Sequence, residues 1–331
     1  MLQYRIQLIV SVVLVVLSVA WMATADTWRL RKDDSWQTLS PENEDKYLLA
    51  VANTKDLVNK GRTKEVKATY NILKQDFSDV TEPDLDVFIE AELLYCKGKY
   101  AKAIKRYDKL LKEYPESMLY EAALERQFAI AKALLDGRKI TVLGIFKVKS
   151  YSTGAKTMER IIDRIGLNEP DGLGIKAAVA VAENYEKRKK YEQAYLMWSE
   201  ISSLWQSGQI GKDALLGMAR CKSAIYNKQT EGKRYLYDAS KLITARSYYE
   251  KFRLLYPEEA ETLGIDSIID EIDEQLALKQ LSIGRYYRKI GKRQAANLYF
   301  DMVTQNWPDT KAAQTAKAML NNCVDGMETE K

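Results

Sequence analysis

The chain has 331 residues, 46% of them hydrophobic, with 51 basic and 46 acidic side chains and no histidine. That hydrophobic share is normal for a globular chain, and a net charge of +5 with both signs interspersed argues against a nucleic-acid footprint. The missing histidine removes the commonest general base and metal ligand. The three cysteines, Cys96, Cys221 and Cys323, are too widely spaced for a tetrahedral metal site and too odd in number for a disulfide framework.

Arg5 is the only charged residue before Asp26, and Leu8 to Trp21 is an apolar run interrupted only by serines. A run of about 14 residues suits the core of a secretory signal better than a membrane span, which needs about 20. Ala23-Thr24-Ala25 follows as a small-x-small cleavage signature. Residues 1–25 therefore read as a signal peptide, with an uncleaved inner-membrane anchor over residues 8–21 as the alternative. Residues 26–43, where Trp28 and Trp36 stand among charges, read as a polar tether that covers the first helical unit.

Helical periodicity then recurs in pairs. The first pair is expected over Asp45–Lys60 and Thr63–Phe77, the second over Asp84–Lys97 and Tyr100–Glu113, closed by Tyr114-Pro115. The third begins with a long helix, Met118–Leu135, carries an insertion over Asp136–Ser150, and resumes near Thr153–Ile165. Asn168-Glu169-Pro170-Asp171-Gly172 is the strongest break in the chain and the candidate hinge between residues 44–167 and 173–320. The fourth pair is Ile175–Lys187 and Tyr191–Trp205. The fifth is Lys212–Tyr226 and Lys241–Tyr256, with an insertion over Asn227–Ser240. The sixth opens with an extended region, Glu258–Leu276, and ends at Trp307-Pro308. Thr310–Leu320 reads as a terminal cap and residues 321–331 as a frayed polar tail.

One pattern unites these pairs: a small residue, three others, then a large aromatic or Met. It reads Val66/Tyr70, Ala103/Tyr107, Gly154/Met158, Ala194/Trp198, Ala245/Tyr249 and Ala296/Phe300, at intervals of 37, 51, 40, 51 and 51 residues. The step places both side chains on one helical face, and no proline falls inside an occurrence: Pro41 precedes the first, Pro83, Pro115, Pro170 and Pro257 lie between occurrences, and Pro308 follows the last. The shorter intervals approximate the tetratricopeptide period of about 34 residues. The expected fold is all-α, a tetratricopeptide solenoid of about six helical hairpins.

Tyr95-Cys96-Lys97-Gly98-Lys99-Tyr100-Ala101-Lys102-Ala103-Ile104 to Tyr114-Pro115, and Ile283-Gly284-Arg285-Tyr286-Tyr287 to Trp307-Pro308-Asp309, resemble units of the outer-membrane assembly lipoproteins of the BamD type. So does Glu125-Arg126-Gln127-Phe128-Ala129-Ile130-Ala131 with the later insertion Leu143-Gly144-Ile145-Phe146, and the resemblance covers about residues 44–320. It implies a periplasmic scaffold, associated with the outer membrane, that binds the barrel-forming subunit and unfolded outer-membrane protein segments. The sequence departs from that family at the processing site, where Ala25-Asp26 stands in place of a lipidated cysteine.

No nucleophile elbow, P-loop or zinc-protease signature occurs, and Asp270, Glu271, Asp273 and Glu274 read as a solvated helix face, so neither catalysis nor a cofactor is expected. In tetratricopeptide arrays the first helix of each pair lines the groove, which makes Lys55, Phe88, Glu92, Tyr95, Arg285 and Arg288 candidate partner-binding residues. The insertion Lys139–Lys149, with Ile145 and Phe146, is apolar, β-branched and flanked by lysines. It reads as a sticky edge, as a patch that leaves membrane association open, or as a segment folded back on the preceding helix. Lys233-Arg234-Tyr235-Leu236-Tyr237 mixes cations and aromatics as peptide- or lipid-headgroup-binding surfaces do. Protein partners are expected and nucleic acid is not; a generic envelope adaptor for cell-wall or division machinery is the alternative function.

Processing at the small-x-small site is expected to leave Asp26 as the first residue of the native protein. N-terminal sequencing decides this, and recovery of Met1 in the membrane fraction establishes the anchor instead.

Overall fold

A computed structural model describes residues 27–30, 36–39, 41–77, 83–142, 146–169 and 171–328. The signal or anchor and residues 143–145 lie outside this set, and with them the candidate Ile145. The chain divides into two compact units, one ending at Arg126 and one starting at Gln127. That division falls inside a helix; the Asn168–Gly172 loop lies within the second unit.

The first unit opens with an antiparallel pair, β1 (Thr27–Leu30) and β2 (Trp36–Leu39), in the stretch expected to be a plain tether. Helices α1 (Pro41–Asn53) and α2 (Lys55–Asn59) replace the single first helix of the sequence reading. The break lies at Thr54, whose hydroxyl bonds to the Val51 carbonyl at 2.7 Å and to the Tyr70 hydroxyl at 3.0 Å. A threonine bonding back to the preceding turn bends a helix, and here the bend is fixed by a second partner on the next helix. Then come α3 (Thr63–Asp76), α4 (Pro83–Cys96), α5 (Tyr100–Glu113) and the start of α6 (Tyr120–Leu135).

The second unit continues α6 into a β-hairpin, β3 (Lys139–Val142) and β4 (Phe146–Lys149), within the Asp136–Ser150 insertion. It goes on through α7 (Tyr151–Ile165), α8 (Leu173–Lys187), α9 (Tyr191–Leu204) and α10 (Gly208–Asn227). A 3₁₀ helix, Glu231–Leu236, occupies the second insertion, followed by α11 (Ser240–Leu255) and α12 (Pro257–Thr262). Last are α13 (Ile265–Lys289), α14 (Arg293–Asn306) and α15 (Lys311–Glu328).

Two expectations at this end need correction. The region Glu258–Leu276 is helical: Pro257 starts α12, Gly264 turns the chain at φ +64°, and Ile265, Ile269, Ile272 and Leu276 bury one face of α13. Residues 321–328, read as a frayed tail, continue α15.

All six small-x3-large steps are buried. Val66, Ala103, Ala194, Ala245 and Ala296 are at most 1% exposed, Gly154 is buried, and Tyr70, Tyr107, Met158, Trp198, Tyr249 and Phe300 lie inside beside them. Distance demands small residues in the step and on the facing helix: a methyl group on Gly154 would stand 2.9 Å from the Ala131 carbonyl, one on Gly284 would stand 2.6 Å from the Phe300 ring, and one on Gly217 would stand 2.5 Å from the Trp198 indole. Between the paired helices the same tight turn recurs. The amides of Arg62, Lys99, Lys190 and Lys292 bond to carbonyls five residues back, at Leu57, Leu94, Tyr185 and Tyr287, after a left-handed residue. That residue is Gly61, Gly98 or Gly291 in three cases and Lys189, at φ +58°, in the fourth.

Ala296 packs in the terminal cluster with Phe300, Val303, Ala312, Ala313 and Ala316. Ala296→Leu is therefore expected to overpack it at a cost of about 1–3 kcal/mol. Hydrogen exchange should speed up in α13–α15 and stay unchanged in α3–α5, since repeat units couple to nearest neighbours. Uniform loosening of the chain would contradict this register.

Candidate functional site

Two surfaces gather the residues singled out from the sequence. In the first unit, Leu48, Val51, Lys55, Phe88, Glu92, Glu125 and Arg126 line a narrow depression of about 110 Å³. Phe88 forms its floor, nearly fully buried and held edge-on between Tyr70 (6.4 Å) and Tyr107 (6.0 Å). Glu92 sits beside it, 1% exposed, taking hydrogen bonds from the Tyr107 hydroxyl and from Arg126 Nη2 at 2.8 Å. Arg126 also donates from Nη1 to Asn59 Oδ1 at 2.9 Å and lies over the Tyr95 ring at 5.3 Å. Lys55 stands at the mouth, paired with Glu125 at 3.2 Å where both are exposed.

The electrostatics follow from burial. Loss of solvent pushes the Glu92 carboxyl above its ordinary value, while the Arg126 charge and the Tyr107 hydrogen bond pull it back. Tyr107 is raised well above the usual phenol range, first by burial and then by the neighbouring Glu92 charge, so it donates a proton bond and does not ionise. Arg126 was missed as a site residue. Its signal was the spacing of Arg126 from Ala123 and Ile130, apolar positions of α6 three residues before it and four after, which turns the guanidinium towards the packed face, where it has to find a carboxylate.

In the second unit a larger groove of about 630 Å³ runs between the 3₁₀ helix and α13. Its lining includes Tyr235, Leu236, Lys279, Arg285, Tyr286 and Lys289. Leu236 and Tyr286 are 66% and 60% exposed, so the groove offers apolar surface to a partner. Lys279 Nζ donates to the backbone carbonyls of Tyr235 and Tyr237 and thereby fixes the insertion against α13. Arg285 and Lys289 remain as the charges on the wall, and Arg288 is exposed on the same helix outside the groove lining. Phe146, 61% exposed, belongs to neither surface and stands on β4.

Of the four carboxylates read as a solvated face of α13, Asp270 and Glu271 are exposed as expected, whereas Asp273 and Glu274 are engaged. Asp273 accepts both Arg246 Nε (2.6 Å) and Nη2 (2.8 Å), and the Trp307 indole N–H at 3.1 Å. Glu274 accepts the backbone amides of Lys311 and Ala312, capping α15. Burial pushes the Cys221 thiol up to about 12, so it behaves as a small apolar side chain.

Residues 215–331 match the family described as YfiO, outer membrane lipoprotein, and residues 89–117 match the tetratricopeptide repeat. The resemblance to BamD-type lipoproteins is thus borne out over the segment that contains the second groove, and the all-α tetratricopeptide expectation is borne out with it. No curated protein matches the chain. Among solved structures, the C-terminal part of a TPR repeat-containing protein from Cytophaga hutchinsonii is 17% identical over 83% of this chain and 95% of its own, with a TM-score of 0.32. A human IFIT1 dimer with m7Gppp-AAAA is 12% identical over 83% of this chain and 72% of its own, with a TM-score of 0.26.

Removing one partner of a buried ion pair costs about 3–5 kcal/mol, and Arg126→Met is expected to lose that much. The pH dependence has a definite sign. Because Glu92 is raised in the folded state, its contribution is full below its unfolded value and is lost as pH rises through its folded value. Without Arg126 the rise is larger, so urea titration should find the variant less destabilised near about pH 5 than near about pH 8. A loss independent of pH would mean that Glu92 does not titrate with folding.

Proposed function

We propose that the chain is a non-catalytic periplasmic scaffold of outer-membrane β-barrel assembly, working at the outer membrane through protein contacts. The observation that carries this reading is the groove between the 3₁₀ helix and α13, which lies wholly within the segment matching the outer membrane lipoprotein family. Tetratricopeptide repeats are protein-interaction elements, and this groove adds exposed apolar and cationic side chains to a rigid helix face.

The chemistry suits a partner segment that presents carboxylates and apolar side chains together. Tyr235, Leu236 and Tyr286 supply desolvated contact area, and Arg285 and Lys289 supply charge at the wall. The barrel-forming subunit and unfolded outer-membrane protein segments are the partners this reading assigns. Lys55 and Tyr95 at the first-unit depression, and Arg288 beyond the groove, serve as secondary contacts. Phe88 and Glu92 contribute by holding that depression in shape.

Pull-down from detergent-solubilised envelopes tests this. The wild-type chain is expected to recover the barrel-forming subunit, and Leu236→Asp with Arg285→Glu should reduce recovery at least about tenfold, as loss of a central interface anchor does. Recovery of cell-wall or division proteins alone would assign the chain to the adaptor role.

A further inference from the structure

The β3–β4 hairpin contains surface that the protein-binding groove does not use. Its register pairs Lys139 with Lys149, Ile140 with Val148, Thr141 with Lys147, and Val142 with Phe146. Alternation along a strand then sets Ile140, Phe146 and Val148 on one face, and Lys139, Lys147 and Lys149 on the other. Phe146 and Val148 are 61% and 43% exposed, and the strands pack substantially only on one another. A two-stranded hairpin is marginal in water on its own, and one with an uncovered apolar face gains stability from whatever covers it.

Charge selects the cover. From Arg138 to Ser150 the sequence carries four cationic residues (Arg138, Lys139, Lys147 and Lys149) and no carboxylate. At the base of the hairpin the Tyr151 hydroxyl is held below its ordinary range by hydrogen bonding to Arg188, with Lys149 adding to the effect, as an electropositive surrounding requires. Exposed apolar side chains bracketed by lysines in one small element are the combination that partitions into the headgroup region of an anionic bilayer. Binding there scales with buried apolar area plus attraction to anionic lipid.

We propose that the β3–β4 hairpin is a membrane-contact element that docks on anionic phospholipid through Phe146 and Val148, with Lys139, Lys147 and Lys149 engaging the headgroups. The proposal is independent of the barrel-assembly reading, because the hairpin and the groove are separate surfaces and the readout is local. Hydrogen exchange of the full chain is measured with phosphatidylglycerol vesicles and with phosphatidylcholine vesicles. The amides of β3 and β4 are expected to gain protection on phosphatidylglycerol only. Any attachment through the apolar N-terminal run affects both vesicle types and leaves this difference intact.

Each of Lys139→Gln, Lys147→Gln and Lys149→Gln should raise the lipid concentration at half-protection about fivefold. Phe146→Ser with Val148→Ser should abolish the protection, and circular dichroism confirms that the helices are retained. Equal protection on both vesicle types, none on either, or protection that appears only with solubilised envelope proteins would overturn the proposal.

Discussion

Trp198 lies so close to the backbone of Gly217 that a single added methyl group would stand 2.5 Å from the indole, and Phe300 lies almost as close to Gly284. These seats fix how near neighbouring helices approach, and the rest of the fold follows from that distance. A large side chain at one position and almost none at the other brings two backbones together while filling the space between them. Within each unit, repeating the step propagates the spacing from pair to pair, so each helix is positioned by its neighbours. The left-handed turns at Gly61, Gly98, Lys189 and Gly291 serve the same end, since a tight reversal keeps the second helix in register with the seat on the first.

Because the seats are local, they were legible in the sequence. The spacing of Ala103 and Tyr107, or of Ala296 and Phe300, states which face of a helix is buried without knowledge of the partner. Helix α5 occupies the residues its periodicity marked, Tyr100–Glu113, and α9 ends one residue before Trp205. What escaped depends on tertiary contact. The break at Thr54 is set by a hydroxyl meeting Tyr70 sixteen residues away. Asp273 and Glu274 looked solvated because their partners, Arg246, Trp307 and the first amides of α15, are distant in sequence. The helical identity of residues 258–276 was available in the spacing of Ile265, Ile269, Ile272 and Leu276, and the absence of a small-x3-large step hid it.

The same distinction separates the two kinds of polar residue that the sequence reading placed together. Glu92 was a groove candidate, yet it lies under Phe88 and Tyr107 and spends its charge on Arg126. A carboxylate in that position cannot also meet a partner, since exposing it would strand the guanidinium. Arg285 and Lys289 have no such obligation in the structure's hydrogen-bonded core and face the open groove beside exposed Tyr286. Helix periodicity alone cannot tell these cases apart. The difference lies in whether an opposite charge on another helix engages the side chain, as Arg126 engages Glu92.

Where the chain carries residues beyond the repeat, it uses them at the ends of helices. The β3–β4 hairpin joins α6 to α7, and the 3₁₀ helix joins α10 to α11, both in the connection between the two helices of a pair. Extra chain inserted inside a helix would move every later side chain off its seat, whereas a loop at a junction costs only a modest closure entropy. The exposed apolar groups, Phe146 and Val148 in one insertion and Tyr235 and Leu236 in the other, therefore sit where evolution of a surface leaves the packing untouched. Lys279 shows how such an addition is made rigid: one ammonium bonded to two backbone carbonyls ties the second insertion to α13, and turns a loop into the wall of a groove.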